Sequence, residues 1–356
     1  MTVTPKNLPL GPAMVDLEGV ALTEEDRRRL LHPLTGGVVL FTRNYTDPEQ
    51  LGRLTAEIHG LRNPSLLITV DHEGGRVQRF RAGFTAIPAM RELGRIWDSD
   101  PQQAQQLARE TGYVMAAELR AHGVDLALAP VLDVDYGSSG VIGNRAFHSN
   151  LRAIAELARA LLQGLRQAGM GSVGKHFPGH GHVSADSHHE VPTDKRSFEE
   201  IAATDLEPFR RMIDAGLGGI MPAHVIYSKV DALPAGFSAV WLKQVLRGRL
   251  GFDGIVFSDD LNMEGASVAG TVLERGQLAL AAGCDMVLVC NNPRMVDELL
   301  GNLSYSMPAV SLARLARMHG RQQPDSMASL RENDRYRRAL SVVAGISRRD
   351  GELPLA

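Results

Sequence analysis

The chain has 356 residues, 44% hydrophobic and 22% charged, a balance that excludes disorder over its bulk. Its 38 basic and 41 acidic residues leave a net charge of −3, which points to neither nucleic acid nor an anionic membrane as a partner. Two cysteines exclude a disulfide framework and a cysteine-built zinc cluster, and no apolar run reaches the ~18 residues of a membrane span.

The opening segment, MTVTPKNLPLGPAMVDLEG, lacks a charged stretch followed by an apolar one, so a soluble, cytoplasmic protein is expected. Short apolar runs then recur along the chain. They are Ala13–Leu17, Gly37–Phe41, Leu66–Val70, Leu126–Val131, Ser172–Gly174, Gly219–Met221, Gly254–Phe257 and Met286–Val289. They alternate weakly, as strands do when a parallel sheet is covered on both faces. Helical patterns separate them over Gln102–His122, Leu151–Gln167, Phe198–Ala215, Ser238–Arg249 and Leu273–Ala282. Pro101, Ser238 and Ser197-Phe-Glu-Glu read as helix starts. Ala168-Gly169, Ala215-Gly216 and Ala282-Gly283 read as helix ends with a C′ glycine before a strand. Cys284 and Cys290 share one apolar run and read as small core residues.

Eight strands alternating with helices predict an α/β fold, a (β/α)8 TIM-type barrel. An open doubly wound sheet is the competing architecture, but the first βα turn has no G-x-G-x-x-G. No Pro/Ser-rich linker divides the chain. A single catalytic domain over 1–356 is therefore expected, with the Arg-rich stretch 324–356 as a C-terminal helical appendage.

In such a barrel, chemistry belongs at the C-terminal ends of the strands. Five consecutive apolar runs lead into polar clusters. These are Asp71-His-Glu-Gly-Gly-Arg-Val-Gln-Arg79, then Asp133-Val-Asp135 with Gly143-Asn-Arg145, then Lys175-His-Phe-Pro-Gly-His-Gly-His182 with Asp186-Ser-His188-His189, then Pro222-Ala-His224, then Ser258-Asp259-Asp260. The crowded histidines suggest a metal, yet Pro and Gly make that segment a loop rather than the helical i, i+4 pair of a zinc hydrolase, and no metal or cofactor is expected. No G-x-S-x-G elbow supports a serine nucleophile.

Carboxylates for glycoside cleavage fit better. Asp259 lies just past an apolar strand that can aim it. Because successive strand side chains point to opposite faces, either Asp259 or Asp260 should face the pocket, the other being structural. Asp186 and His188, at i and i+2 in an extended loop, suit an imidazole acid whose tautomer a carboxylate fixes; His189 would point away. Gly179, Gly181 and Ser184-Ala185 suggest a loop able to move.

Lys175-His-Phe-Pro-Gly-His-Gly followed by Ala185-Asp-Ser-His-His-Glu-Val-Pro resembles the KHFPGHG…DSH signature of glycoside hydrolase family 3 β-N-acetylglucosaminidases of the NagZ type. Asp71–Arg79 is similar to that family's DxEGGRVxR strand end. Gly251–Ala266, GFDGIVFSDDLNMEGA, is similar to its nucleophile segment. The resemblance spans about Ala13 to Asn292. It implies a retaining double displacement with Asp259 as nucleophile, His188 as proton donor and acceptor, and Asp186 orienting and tuning His188. It implies sugar binding by Asp71, Arg79, Arg145, Lys175 and His176, while Arg76 and Glu73 fit an ion-pair network. The implied substrate is a terminal β-linked GlcNAc, in the single-domain bacterial type on 1,6-anhydro-MurNAc and its peptides during peptidoglycan recycling, a cell-wall role. Nucleic acid and membranes are not expected partners, and a monomer is expected. The sequence departs from the family at His182-Val-Ser-Ala-Asp and at His72, which would alter the sugar edge. Phosphorolysis competes with hydrolysis, since a histidine acid, unlike a carboxylate, does not repel phosphate. The same residues would also serve a broader family 3 β-glycosidase, an acetamido-assisted mechanism without an enzyme nucleophile, or a sugar-binding protein without catalysis.

Overall fold

The computed structural model describes residues 5–184, 187, 191–321 and 326–346. Eight short strands, all parallel, make the central sheet: β1 (Ala13–Asp16), β2 (Thr35–Leu40), β3 (Leu67–Val70), β4 (Leu126–Ala127), β5 (Val173–Phe177), β6 (Gly219–Pro222), β7 (Ile255–Asp260) and β8 (Met286–Val289). Each pairs with its neighbours in sequence, and β8 pairs back onto β1. The last seam, between β4 and β5, closes through a parallel bridge of Val131 to Lys175. Around it Val173 N donates to Ala129 O at 2.8 Å, Lys175 N to Pro130 O at 3.1 Å and Leu132 N to Lys175 O at 2.7 Å. The sheet is a (β/α)8 barrel of TIM type. Its strands carry near-continuous apolar runs because helices cover the outside and packed side chains fill the inside.

The fourth apolar run predicts a regular strand over Leu126–Val131, but only Leu126–Ala127 is regular. Pro130 has no N–H to give a ladder, so β4 dissolves into the irregular seam just described. β5 and β7, by contrast, continue past the apolar runs as far as Phe177 and Asp260. Their polar ends are strand residues, not loop residues.

The helices follow the expected capping chemistry. Asp100 caps α1 (Pro101–Ala121), with Pro101 at the first position, and Asn150 caps α2 (Leu151–Gln167). Ser197 and Glu200 form a capping box at α3 (Phe198–Ala203). The Ser238 hydroxyl accepts from Trp241 N at 3.1 Å ahead of a π-helical segment over Val240–Arg249. Gly169, Gly216 and Gly283 all take positive φ, the conformation a C′ residue needs.

The pattern over Phe198–Ala215 predicts one long helix. Instead α3 stops and α4 (Leu206–Asp214) starts afresh. The buried Asp205 carboxylate sits at the break, accepting from Thr204 Oγ1 at 2.8 Å and Tyr136 Oη at 2.9 Å, and paired with Arg196 at 2.6 Å. Satisfying a buried charge outweighs one more helical turn. A further helix over Glu24–Leu30, EEDRRRL, escapes the periodicity argument because only Asp26 and Leu30 are buried there and no apolar stripe shows. Near the C-terminus, helices over Met327–Glu332 and Asp334–Ala344 lie against α1, where Tyr336 Oη donates to Glu118 Oε1 at 2.6 Å.

Asp125 ties the lower end of the barrel together. It accepts from Ile68 N at 3.0 Å, pairs with Arg120 at 3.1 Å and meets His59 Nε2 at 3.1 Å. Burial opposes its ionisation, but His59 and the backbone donor outweigh that and hold its carboxyl below the usual range. Asp125→Ala removes at once the buried partner of Ile68 N, Arg120 and His59, so urea denaturation is expected to show a loss of about 3 kcal/mol or more.

Candidate active site

The cleft lies at the C-terminal ends of the strands. Asp71 follows β3, and an antiparallel pair, His72–Gly74 with Val77–Gln78, carries Glu73 and leads to Arg79. Arg145 comes from the turn Gly143–Arg145 between β4 and α2. Lys175 and His176 lie on β5, and Asp259 and Asp260 end β7. Asp71, Arg79, Arg145, Lys175, His176 and Asp259 all line one cavity of about 210 Å³. Asp186, His188 and His189 lie outside the described residues. Ser187, between the first two, lines the same cavity, and its carbonyl accepts from Gly265 N at 2.8 Å.

Glu73 organises the cationic side. It takes both Arg145 Nε and a terminal guanidinium nitrogen at 2.8 Å each, and Lys175 Nζ at 2.6 Å. Lys175 also reaches Asp71 Oδ1 at 2.7 Å, and Arg79 stands 3.7 Å from the other Asp71 oxygen. Burial opposes charge on every member. The opposite charges prevail, so Glu73 and Asp71 are held below the carboxylate range and Lys175 and Arg145 above their ordinary values. The Arg79 guanidinium also stands 5.5 Å from the Phe41 ring centroid, and Phe41 lines the cleft.

A second carboxylate, Asp133, organises the histidine side. It is fully buried, accepts from His176 N at 3.2 Å and His180 N at 2.7 Å, and meets His176 Nδ1 at 2.7 Å. Burial opposes its ionisation, but His176 and His180 hold it ionised below the usual range. His180 lines the cleft, with Nε2 3.2 Å from Ser187 Oγ. The loop sits close against the connection between β4 and α2 at this point: a Cβ on Gly181 would meet Val134 O at 1.8 Å.

The expectation that only one of Asp259 and Asp260 faces the pocket is corrected. Both line the cavity. β7 bulges against β8, Phe257 pairing with Met286 and Asp260 with Leu288, so three residues span what two span opposite and the alternation breaks. Ser258 bridges the gap, accepting from Leu288 N at 3.0 Å and donating to Asp259 O at 2.8 Å. Asp260 is nonetheless tied to backbone: one oxygen accepts from Asn262 N and Cys290 N, both at 3.0 Å. Burial pushes its carboxyl up to about 7, with Asp259 adding to the rise.

Two further expectations change. His72 does not reach the sugar edge: it is buried, 5.9 and 5.8 Å from the Phe80 and Phe84 ring centroids, and burial lowers its imidazole to about 3. Cys290 is buried as expected, yet forms part of the cleft wall. His224 turns away from the cavity, stacks on Phe237 and meets Asp260 O at 3.1 Å, supporting the end of β7. Glu73, Asp133, His180 and Asn291 join the site although the sequence assigns none of them a role in binding. Asn291 lines the cleft with φ +60, the one non-glycine residue with positive φ among those described, and its N–H donates to Asp16 Oδ2 at 2.7 Å. A polar residue directly after an apolar run is the available signal for Asp133 and Asn291. Among the described residues no group of three His, Cys, Asp or Glu side chains is placed to hold a metal ion.

A cleft of paired carboxylates and fixed hydrogen-bond donors at the top of a barrel suits a polyhydroxylated ligand. The comparisons with known proteins agree. Residues 12–318 match the glycosyl hydrolase family 3 N-terminal domain. The chain belongs to glycosyl hydrolase family 3. It is therefore a glycoside hydrolase. A beta-hexosaminidase of Nitrosospira multiformis is 62% identical over 346 residues, covering 97% of this chain and 99% of that one. The crystal structure of native NagZ from Neisseria gonorrhoeae superposes with a TM-score of 0.92 at 50% identity, covering 96% of this chain and 99% of that one. The same Neisseria enzyme in complex with N-trifluoroacetyl-D-glucosamine gives 0.91 at 50% identity, with the same coverage. A glycoside hydrolase works through carboxyl groups, which directs attention to those of the cleft and above all to the end of β7.

The raised Asp260 gives a measurable consequence. A carboxyl moved from 3.8 to about 7 on folding binds its proton more tightly in the folded state. Its contribution is fully present below pH ~4 and is lost as pH rises towards and through 7. Asp260→Asn keeps an oxygen for the two backbone donors and removes the titration. Urea melts should show the variant gaining on the unaltered protein between pH 4 and pH 8 by up to about 4 kcal/mol; a constant difference across that range would contradict the assignment.

Proposed function

We propose that this glycoside hydrolase is a retaining exo-β-N-acetylglucosaminidase. Its substrate would be a terminal β-linked GlcNAc, in particular on 1,6-anhydro-MurNAc and its peptides, which assigns it to cytoplasmic peptidoglycan recycling as a single-domain monomer. The reading rests on one observation above all: Asp259, at the end of β7, shares a small cavity with Asp71, Arg79, Arg145, Lys175 and His176. The names of the relatives and the glucosamine derivative carried by the Neisseria enzyme favour GlcNAc over other sugars.

In this mechanism Asp259 attacks the anomeric carbon and the glycosidic bond breaks, leaving a covalent glycosyl-enzyme. His188 gives its proton to the leaving oxygen. It then takes one from the water that attacks the intermediate, and Asp186 holds its ring in the productive tautomer. Asp71 accepts from sugar hydroxyls, while Lys175 and the arginines donate to hydroxyl and acetamido oxygens. These groups are already fixed by their mutual ion pairs, so little ordering is left to be done when the sugar enters.

Release of p-nitrophenol from the β-GlcNAc and β-glucoside derivatives tests the reading. Turnover of the GlcNAc compound is expected, with kcat lowered by roughly three or more orders of magnitude in Asp259→Asn. A fluorinated GlcNAc analogue should label Asp259; acetamido-assisted cleavage would label nothing. Added phosphate should yield no sugar 1-phosphate, and its appearance would move the reading to a phosphorylase. Turnover of the glucoside alone would move the substrate, and binding of GlcNAc without turnover would make the protein a sugar-binding one.

A further inference from the structure

Two buried carboxylates brace the polar side chains of the cleft, and only Glu73 is explained by neutralising cations. Asp133 faces no lysine or arginine within salt-bridge distance among the described residues; what it holds is a ring and two backbone N–H groups. Its two oxygens have divided duties. Oδ1 accepts from His176 N at 3.2 Å and from His180 N at 2.7 Å, and Oδ2 lies 2.7 Å from His176 Nδ1. An ionised carboxylate can only accept, so Nδ1 must carry a hydrogen. In the neutral ring the lone pair then sits on Nε2. That atom is 3.4 Å from a terminal nitrogen of Arg145, which has only hydrogens to offer; the contact is long, so an entering hydroxyl can take the lone pair in its place.

We infer that Asp133 is a positioning residue that locks His176 in the Nδ1–H tautomer, so that Nε2 presents a hydrogen-bond acceptor to a hydroxyl of the bound sugar. The inference rests on the functional reading above for the identity of the ligand, though not for the tautomer. It makes His176 an acceptor in a cavity it lines together with two donors, Arg145 and Lys175. A hydroxyl both gives and accepts, so such a pairing reads it from both sides.

Asp133→Asn separates this role from simple support of the loop. The amide oxygen can stay where it accepts from the two backbone N–H groups. The amide nitrogen then takes the place of Oδ2 and donates to Nδ1, which forces the hydrogen to Nε2. That hydrogen points at Arg145 and leaves Nε2 unable to accept anything, while the backbone contacts survive.

The first measurement uses the unaltered protein. Nitrogen-15 NMR of labelled histidine, with His176 assigned by its loss in His176→Gln, is expected to show Nδ1 protonated and Nε2 bare. Nε2 protonated, alone or together with Nδ1, would overturn the proposal even if the variants fail to fold. In Asp133→Asn the hydrogen should move to Nε2, with kcat/KM on the aryl β-GlcNAc lowered roughly 10- to 100-fold, mainly through KM. Adding Asp133→Asn to His176→Ala should cost under about threefold more, because the ring through which Asp133 acts is gone. An unchanged KM in Asp133→Asn, or a full further loss in the double variant, would assign Asp133 to loop support alone. If the unaltered protein cleaves no β-glycoside, the functional reading fails and the hydroxyl contact with it, whereas the tautomer is decided by the NMR measurement independently.

Discussion

Glu73 is the constraint on which the polar half of the cleft depends. A carboxylate this deep is tolerable only with several hydrogen-bonded cations around it, and it has them: both nitrogens of the Arg145 fork and the Lys175 ammonium. Those cations come from the connection between β4 and α2 and from β5, while Glu73 itself follows β3. One buried charge therefore gathers three separate strand ends. The same contacts leave Lys175 beside Asp71, whose other oxygen stands 3.7 Å from Arg79. Stability and the shape of the cleft draw on one network, so the side chains that line this part of it hold one another in place.

The seam between β4 and β5 serves a related end. A regular ladder there would place alternate residues inside and outside the barrel. Pro130 prevents it, and the backbone instead pairs through Ala129, Pro130 and Leu132. The register of β5 with β6 also shifts beyond Lys175, so Lys175 and His176, adjacent in sequence, both reach the cavity. At β7 the bulge against β8 does the same for Asp259 and Asp260. In both places the barrel gives up ladder hydrogen bonds, recovers them through Ser258, Asp260 and Asp133, and gains two adjacent side chains on one face.

Much of this is legible in the sequence. Eight apolar runs separated by helical patterns specify the barrel, and most of the polar clusters behind five of them mark the end that carries the cleft. What is not legible has identifiable causes. The strand period of two makes Asp259 and Asp260 exclusive choices, because a bulge leaves no trace in a run of six residues. Glu73 reads as part of an ion-pair network but not as its centre, since nothing local says which of several charges lies deepest. His72 reads as a change at the sugar edge because it departs from the family's motif, yet Phe80 and Phe84, eight and twelve residues on, fold back to enclose it.

The sequence by itself determined the architecture, the family resemblance and the set of polar groups gathered at the strand ends. Those depend on local periodicity and on residue type, which are properties of short segments. Tertiary structure alone decided which carboxylates face the cleft, which serve as buried partners, and which charge states burial and neighbours impose. Asp133 and Asp260 are the same residue type at equivalent strand ends. One is held ionised by two histidine segments, and the other is pushed up to about 7 by burial, with no cation within salt-bridge distance among the described residues. The difference lies in partners more than forty residues away in the first case and about thirty in the second, and only the closed barrel brings them within reach.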